Sequence, residues 1–265
     1  MKIKKVISAA AAAAIALSMT SGIAVSAEEA TDVYEGASIV ADMNAADPVW
    51  TECKKLAGGK YSSTYVKMIN SYSKKKATTG IRFGKSRTKR FFNKLQKAAN
   101  SKEPNFSLSL VSKDTITAVA SKGDKAKVVM YMPGDDMNIG MAIYADSKSM
   151  TVVSPDTKLK MTTEIPEGTD ASEATGTDFD AMFSDFGIQD DTKGKVFKFK
   201  NGEKNYVYEE FESESGSKLG VLFDSSNKPL AMMDDTGVYC CTFSTSVKDS
   251  AFTVPSGYSE LQMDE

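Results

Sequence analysis

Histidine does not occur anywhere in the 265 residues. Its absence removes His-based catalytic triads, imidazole general bases and His-ligated zinc together. Cysteine is nearly as scarce: only Cys53, Cys240 and Cys241, an odd number that cannot make a disulfide framework. Cys240 and Cys241 are neighbours in a strand-like run, so they point to opposite faces and do not bridge each other. A bridge from Cys53 to either stays open, beside the reading that all three are small buried apolar residues. One tryptophan, Trp50, offers no set of aromatic platforms for a sugar. There is no Gly-x-Ser-x-Gly elbow and no Walker loop. The pairs Asp135-Asp136, Asp190-Asp191 and Asp234-Asp235 lack the alternating oxygens of a calcium loop and read as turn residues. The expectation is a protein that is not an enzyme, with no cofactor and no metal.

Long apolar runs are missing too. Residues 6–19 form the one Ala-rich apolar stretch, preceded by Lys2, Lys4 and Lys5 and followed by the small-x-small cut site Val25-Ser26-Ala27. This is the pattern of a cleavable signal peptide over 1–27. The stretch falls short of the roughly 20 residues that a transmembrane helix needs. No cysteine stands at the cut site, so a lipid anchor is not expected there. The predicted location is extracytoplasmic, with the chain secreted.

Acid is missing from one region. Between Cys53 and Lys102 there are 15 Lys or Arg and no Asp or Glu. Cleavage after Ala27 would leave 238 residues with 30 basic and 35 acidic side chains, so everything outside that region is strongly acidic. Such asymmetry either holds two parts of the chain together or lets the basic part meet something anionic.

What is present divides into two grammars. Residues 28–46 read as a polar leader, and 47–103 as a basic helical region. There, Asp47-Pro48 opens a helix stopped at Gly58-Gly59, a second helix spans 62–75, and a third spans 86–100. The third carries Phe91, Phe92, Leu95, Ala98 and Ala99 as one stripe, at helical spacing. After Pro104 the period changes to two. Short apolar-alternating runs separated by Gly, Asn, Asp and Ser turns give about eleven antiparallel strands, with Asn201-Gly202 the strongest hairpin signal. Residues 177–187 interrupt them as a helix with Phe179, Met182, Phe183 and Phe186 on one side. The expected fold is α+β: a curled antiparallel half-barrel over 104–265, N-terminal helices, and a short inserted helix.

The stretches "MNIGMAIYADSKSMTVVSPDTKLKM", "KNYVYEEFESESGSKLGVLFDSSNKPLAMM" and "AFTVPSGYSEL" resemble the LolA-like carrier proteins and their LppX and LprG relatives, over roughly residues 105–261. The resemblance implies an open half-barrel whose greasy concave face holds lipid acyl chains. This chain lacks the lipobox of the membrane-anchored relatives, and its basic helical region has no counterpart in the family pattern.

Methionine is unusually placed. In "VVMYMPGDDMNIGMAIY", starting at Val128, Met130, Met132, Met137 and Met141 occupy strand positions that Val or Ile would suit better. A flexible thioether repacks around variable shapes, so these residues suit a variable acyl chain; they equally serve as core filler. The candidate ligand face is Met130, Met132, Met137, Ile139, Met141, Ile143, Met161 and Met232. Phe179, Met182, Phe183 and Phe186 form either its lid or a fixed plug.

The second candidate site is cationic: Lys74, Lys75, Lys76, Arg87, Lys89, Arg90, Lys94 and Lys97. Basic residues around an aromatic stripe suit an anionic membrane or cell-wall surface. The plain alternative is a solvated charged face. Nucleic acid is not expected for an exported, acidic chain. The leading expectation is therefore a secreted carrier of a hydrophobic small molecule or lipid. The alternative is an envelope-associated protein that binds anionic polymer or membrane through its basic segment.

Overall fold

The computed structural model describes residues 47–60, 63–75, 77, 79–113, 115–132, 139–165 and 187–261. The expected signal peptide (1–27), leader (28–46) and inserted helix with its four apolar residues fall outside them, as do Lys76, Asp135-Asp136 and Met137. Helix α1 (Pro48–Lys60) starts where Asp47 can cap it. The Asp47 carboxylate accepts the amides of Val49 at 2.7 Å and Trp50 at 3.1 Å, satisfying two orphan donors. The helix runs through Gly58-Gly59 rather than stopping there, a correction to the sequence boundary. Helix α2 spans Ser63–Ser73, and helix α3 spans Arg87–Ala99. Ser86 caps α3 by accepting the Lys89 amide at 2.9 Å.

Among the described residues the strands number thirteen rather than eleven, and all belong to one sheet. The eleven expected runs appear as β2 (Asn105–Val111), β3 (Ile116–Lys122), β4 (Lys125–Met132), β5 (Ile139–Ala145), β6 (Ser149–Ser154), β7 (Leu159–Glu164), β8 (Lys193–Asn201), β9 (Lys204–Glu212), β10 (Lys218–Asp224), β11 (Pro229–Met233) and β12 (Val238–Ser244). The two unexpected strands are the short edge pieces β1 (Thr79–Arg82) and β13 (Ser259–Glu260). Neither is long enough to show a period of two. β1 also breaks the expected boundary, because it sits within the helical region yet pairs with β8.

The order is β1-β8-β9-β10-β11-β12-β2-β3-β4-β5-β6-β7-β13, antiparallel except for the parallel β13–β7 edge. Two meanders, β2 to β7 and β8 to β12, therefore lie side by side and are joined where β12 pairs with β2. The sheet is open: β1 and β13 stand at opposite edges. Among the described residues, no helix is long and apolar enough to cross a membrane.

Helices cover both faces. On the front face, α3 places Phe91, Phe92, Leu95 and Ala99 over Leu108, Leu110, Val119, Val128, Val221 and Phe223. On the back, α1 packs Val49, Trp50 and Cys53 on Val111, Ile116, Val129, Ala142 and Val153. Helix α2 packs Met68 and Ile69 on Phe197, Tyr208, Leu222 and Ala231. Cys240 and Cys241 occupy opposite faces, as neighbours in a strand must. All three cysteines are buried and outside any disulfide, and burial pushes Cys53 and Cys241 up to about 12.

Candidate ligand-binding face

Strand register decides which methionines can act together. Met130 pairs with Met141, Val128 with Ile143, Ile143 with Val152, and Val152 with Met161. Thr117 links Met130 to Leu110, Leu110 faces Cys241, and Met232 sits opposite Tyr239 on the same side. Met130, Met141, Ile143, Met161 and Met232 thus share the front face. Met132 is paired with Ile139 through the backbone, and only the backbone of those two is described.

This shared face has two regions of different character. In the first, Met130 (9% exposed) and Met232 (4%) join the cluster headed by the α3 aromatics. There the methionines belong to the same buried cluster as α3. In the second region, β5 to β7, the large apolar residues of the front are Met141, Ile143, Met150, Val152, Leu159 and Met161, and every one is half-buried. Met141 and Ile143 still touch the α3 cluster. The backs of β5 and β6 behave differently: Ala142, Tyr144, Thr151 and Val153 are buried there. Strands β5 and β6 are therefore dry on the back and half-wet on an apolar front. Burial cost explains why this is unusual, since each exposed methylene forgoes about 0.8 kcal/mol.

Helix α3 is fixed over the first region by a buried acid. Glu209 of β9 accepts the Thr88 amide at 2.9 Å and the Thr88 hydroxyl at 2.9 Å, and pairs with Arg87 at 3.3 Å. Glu209 has no exposed side-chain surface. A carboxylate at a helix N-terminus meets both orphan amides and the positive end of the helix dipole. The Glu209-Glu210 pair is visible in the sequence, but nothing local marks one of them as a cap for a helix about 120 residues upstream.

The cationic candidates do not form one site. Lys74 and Lys75 follow α2 on the back, where the Lys75 ammonium lies 4.4 Å from the Tyr72 ring centroid. Arg87 and Lys89 on α3 are engaged by Glu209 and by Asp190 at 3.3 Å. Arg90, Lys94 and Lys97 remain exposed on the outer side of α3. Asp190-Asp191 and Asp234-Asp235 lie in turns; Asp234 accepts the amides of Thr236 and Gly237 at 2.8 and 3.0 Å. Burial raises the Asp234 carboxyl despite those bonds. Among the described residues no cluster of His, Cys, Asp and Glu is arranged to hold a metal ion.

No protein family matches the chain, and no curated protein matches it. Among solved structures, it is similar to an uncharacterized conserved protein from Thermus thermophilus. That likeness has 8% identity and a TM-score of 0.33, over 66% of this chain and 98% of the other.

Proposed function

We propose that this is an exported binding protein that holds a hydrophobic ligand, an acyl chain, on the front of β5, β6 and β7. The observation that carries the reading is the row Met141, Ile143, Met150, Val152, Leu159 and Met161, apolar yet half-exposed along β5 to β7, while the other side of β5 and β6 is buried. In this reading the open sheet is a half-barrel curled toward its front. Helix α3 fills one end of the concave face, and the ligand takes the other. Met141, Met150 and Met161 supply side chains that repack around acyl chains of different shape. Covering about eight methylenes supplies roughly 6 kcal/mol before the costs of association. Met130 and Met232 form the floor beneath α3 rather than the ligand surface, and the reaction class is binding, not catalysis.

The test is native mass spectrometry of the secreted chain purified without detergent, with solvent extraction of what travels with it. The expected result is a lipid in fixed stoichiometry. Met150→Asp and Met161→Asp, both at half-exposed positions, are expected to lose it while keeping the wild-type circular dichroism. An apo mass, together with no uptake from added fatty acid or phospholipid, would sink the proposal.

A further inference from the structure

Arg90, Lys94 and Lys97 follow one another at i, i+4 and i+7, so they form a single row along the outer side of α3. All three are exposed. Among the described residues none of them has a carboxylate within ion-pair distance, whereas Arg87 and Lys89 on the same helix do. Lys85, in the 3-10 turn just before α3, is exposed as well, and its carbonyl accepts a bond from Arg90 Nη1 at 3.0 Å.

The N-terminal part of the row is unfavourable for the helix that carries it, whereas Lys97, in the last turn, complements the dipole. The first turn of α3 contains no acid, and cations near a helix N-terminus oppose its dipole. Arg90 and Lys94 are like charges one turn apart, each such pair costing a few tenths of a kcal/mol. The buried acid that faces the start of α3, Glu209, is already engaged with Thr88 and Arg87. The row is also held in place. The Lys94 ammonium lies 5.5 Å from the Phe243 ring centroid, and Phe243 packs edge-on against Phe91 at 5.8 Å.

The same geometry narrows the partner. Helix α3 cannot lie in a bilayer as an interfacial helix, because Phe91, Phe92, Leu95 and Ala99 are already buried in the sheet. A flat anionic surface would be met best by a broad field of cations, but Lys74 and Lys75 belong to the back of the sheet. What remains is narrow and straight, about 10 Å from Arg90 to Lys97. Among the described residues no free aromatic face borders it on which a base could stack: Phe91 and Phe92 are buried, and Phe243 is partnered by Phe91 and Lys94. We infer that the outer row of α3 binds a flexible linear polyanion of the polyol-phosphate type, by successive phosphate contacts to Arg90, Lys94 and Lys97.

The experiment titrates the secreted chain with poly(glycerol phosphate), with phosphatidylglycerol vesicles and with oligo-dT, each across a salt series. Poly(glycerol phosphate) is expected to bind most tightly, with log K falling against log salt at a slope of about −2 for three contacts. The triple variant Arg90→Glu/Lys94→Glu/Lys97→Glu is expected to bind about a hundredfold more weakly. The matched back-face variant Lys67→Glu/Lys74→Glu/Lys75→Glu is expected to stay within about threefold, since these charges lie more than a Debye length away across the sheet. Arg90→Glu alone is expected to raise the melting temperature while weakening binding, because it relieves the dipole and pairs with Lys94. A purely structural role would lower both. Equal losses in the two triple variants, no salt-sensitive polymer binding, or tighter binding to vesicles or to oligo-dT would each overturn the inference. None of these results depends on lipid uptake by the front face.

Discussion

Glu209 and Thr88 meet across 121 positions of chain: one carboxylate oxygen of Glu209 takes both the amide and the hydroxyl of Thr88 at 2.9 Å each. Through this contact a strand in the second meander sets the position of a helix that precedes the first. Glu209→Ala leaves the two Thr88 donors buried and unpaired and frees Arg87. The expected loss is about 3 kcal/mol of stability, read as a shift in urea midpoint. Glu209→Gln keeps an acceptor and is expected to lose less than half as much. Equal losses in the two variants would mean that charge alone matters.

Gly140 is required by Trp50. A Cβ built at Gly140 would stand 1.8 Å from Trp50 Cη2, an impossible approach on the back of β5. Trp50 is 5% exposed and packs edge-on against Tyr131 at 5.7 Å. Gly140→Ala is therefore expected to cost at least about 3 kcal/mol, the upper end of overpacking penalties. In the Trp50→Leu background the same change is expected to be nearly neutral. Urea unfolding of the four members of this double-mutant cycle gives the coupling directly.

Acid sensitivity is expected to concentrate at Asp47. Burial alone would raise its carboxyl. The side-chain hydrogen bonds from Lys158 and Tyr258, with the amides of Trp50 and Val49, override burial and hold it below the usual range. A carboxyl depressed in the folded state stabilises above its unfolded value, near pH 4. That stability is lost as pH falls through the folded value. The difference in unfolding free energy between wild type and Asp47→Asn is expected to be flat at neutral pH and to shrink below about pH 4. A difference constant down to about pH 2 would remove Asp47 from the acid response.

The thiols supply a probe of core integrity. Cys53 and Cys241, pushed up to about 12 by burial, stay protonated at any ordinary assay pH. The native protein is expected to react with no molar equivalent of an aromatic disulfide reagent at about pH 8. In denaturant it is expected to react with three per chain. Slow native labelling at Cys53 alone would report opening of α1 rather than global unfolding.

The strands are easy to read in the sequence because each of the eleven long ones carries its own period of two and its own turn. The same alternation puts Met130, Met141, Ile143, Met161 and Met232 on one face, and the register agrees. The edge strands β1 and β13 are illegible because four and two residues carry no period. What fills the methionine face is hidden for a different reason. The stripe Phe91, Phe92, Leu95, Ala98 and Ala99 announces that α3 is buried, but a stripe does not say against which side of which sheet. That choice is made by Glu209 and by packing between residues far apart in the chain. Likewise, the basic run looks like one patch because it is continuous in sequence; α2 and α3 packing on opposite faces splits it.

The seam between β12 and β2 has a kinetic consequence. Cys241 lies opposite Leu110 and Thr79 opposite Val196, so the sheet is joined across its middle, and along one edge, by contacts of very long sequence separation. Loop closure on this scale is slow. A chain that emerges N-terminus first displays α3 and the first meander well before β8 to β12 exist to complete their shared core. During that interval β2 is a bare sheet edge, and α3 has neither its Glu209 anchor nor half of its apolar contacts. Folding is thus tied to emergence of the complete chain, and the half-emerged chain is the species most exposed to aggregation.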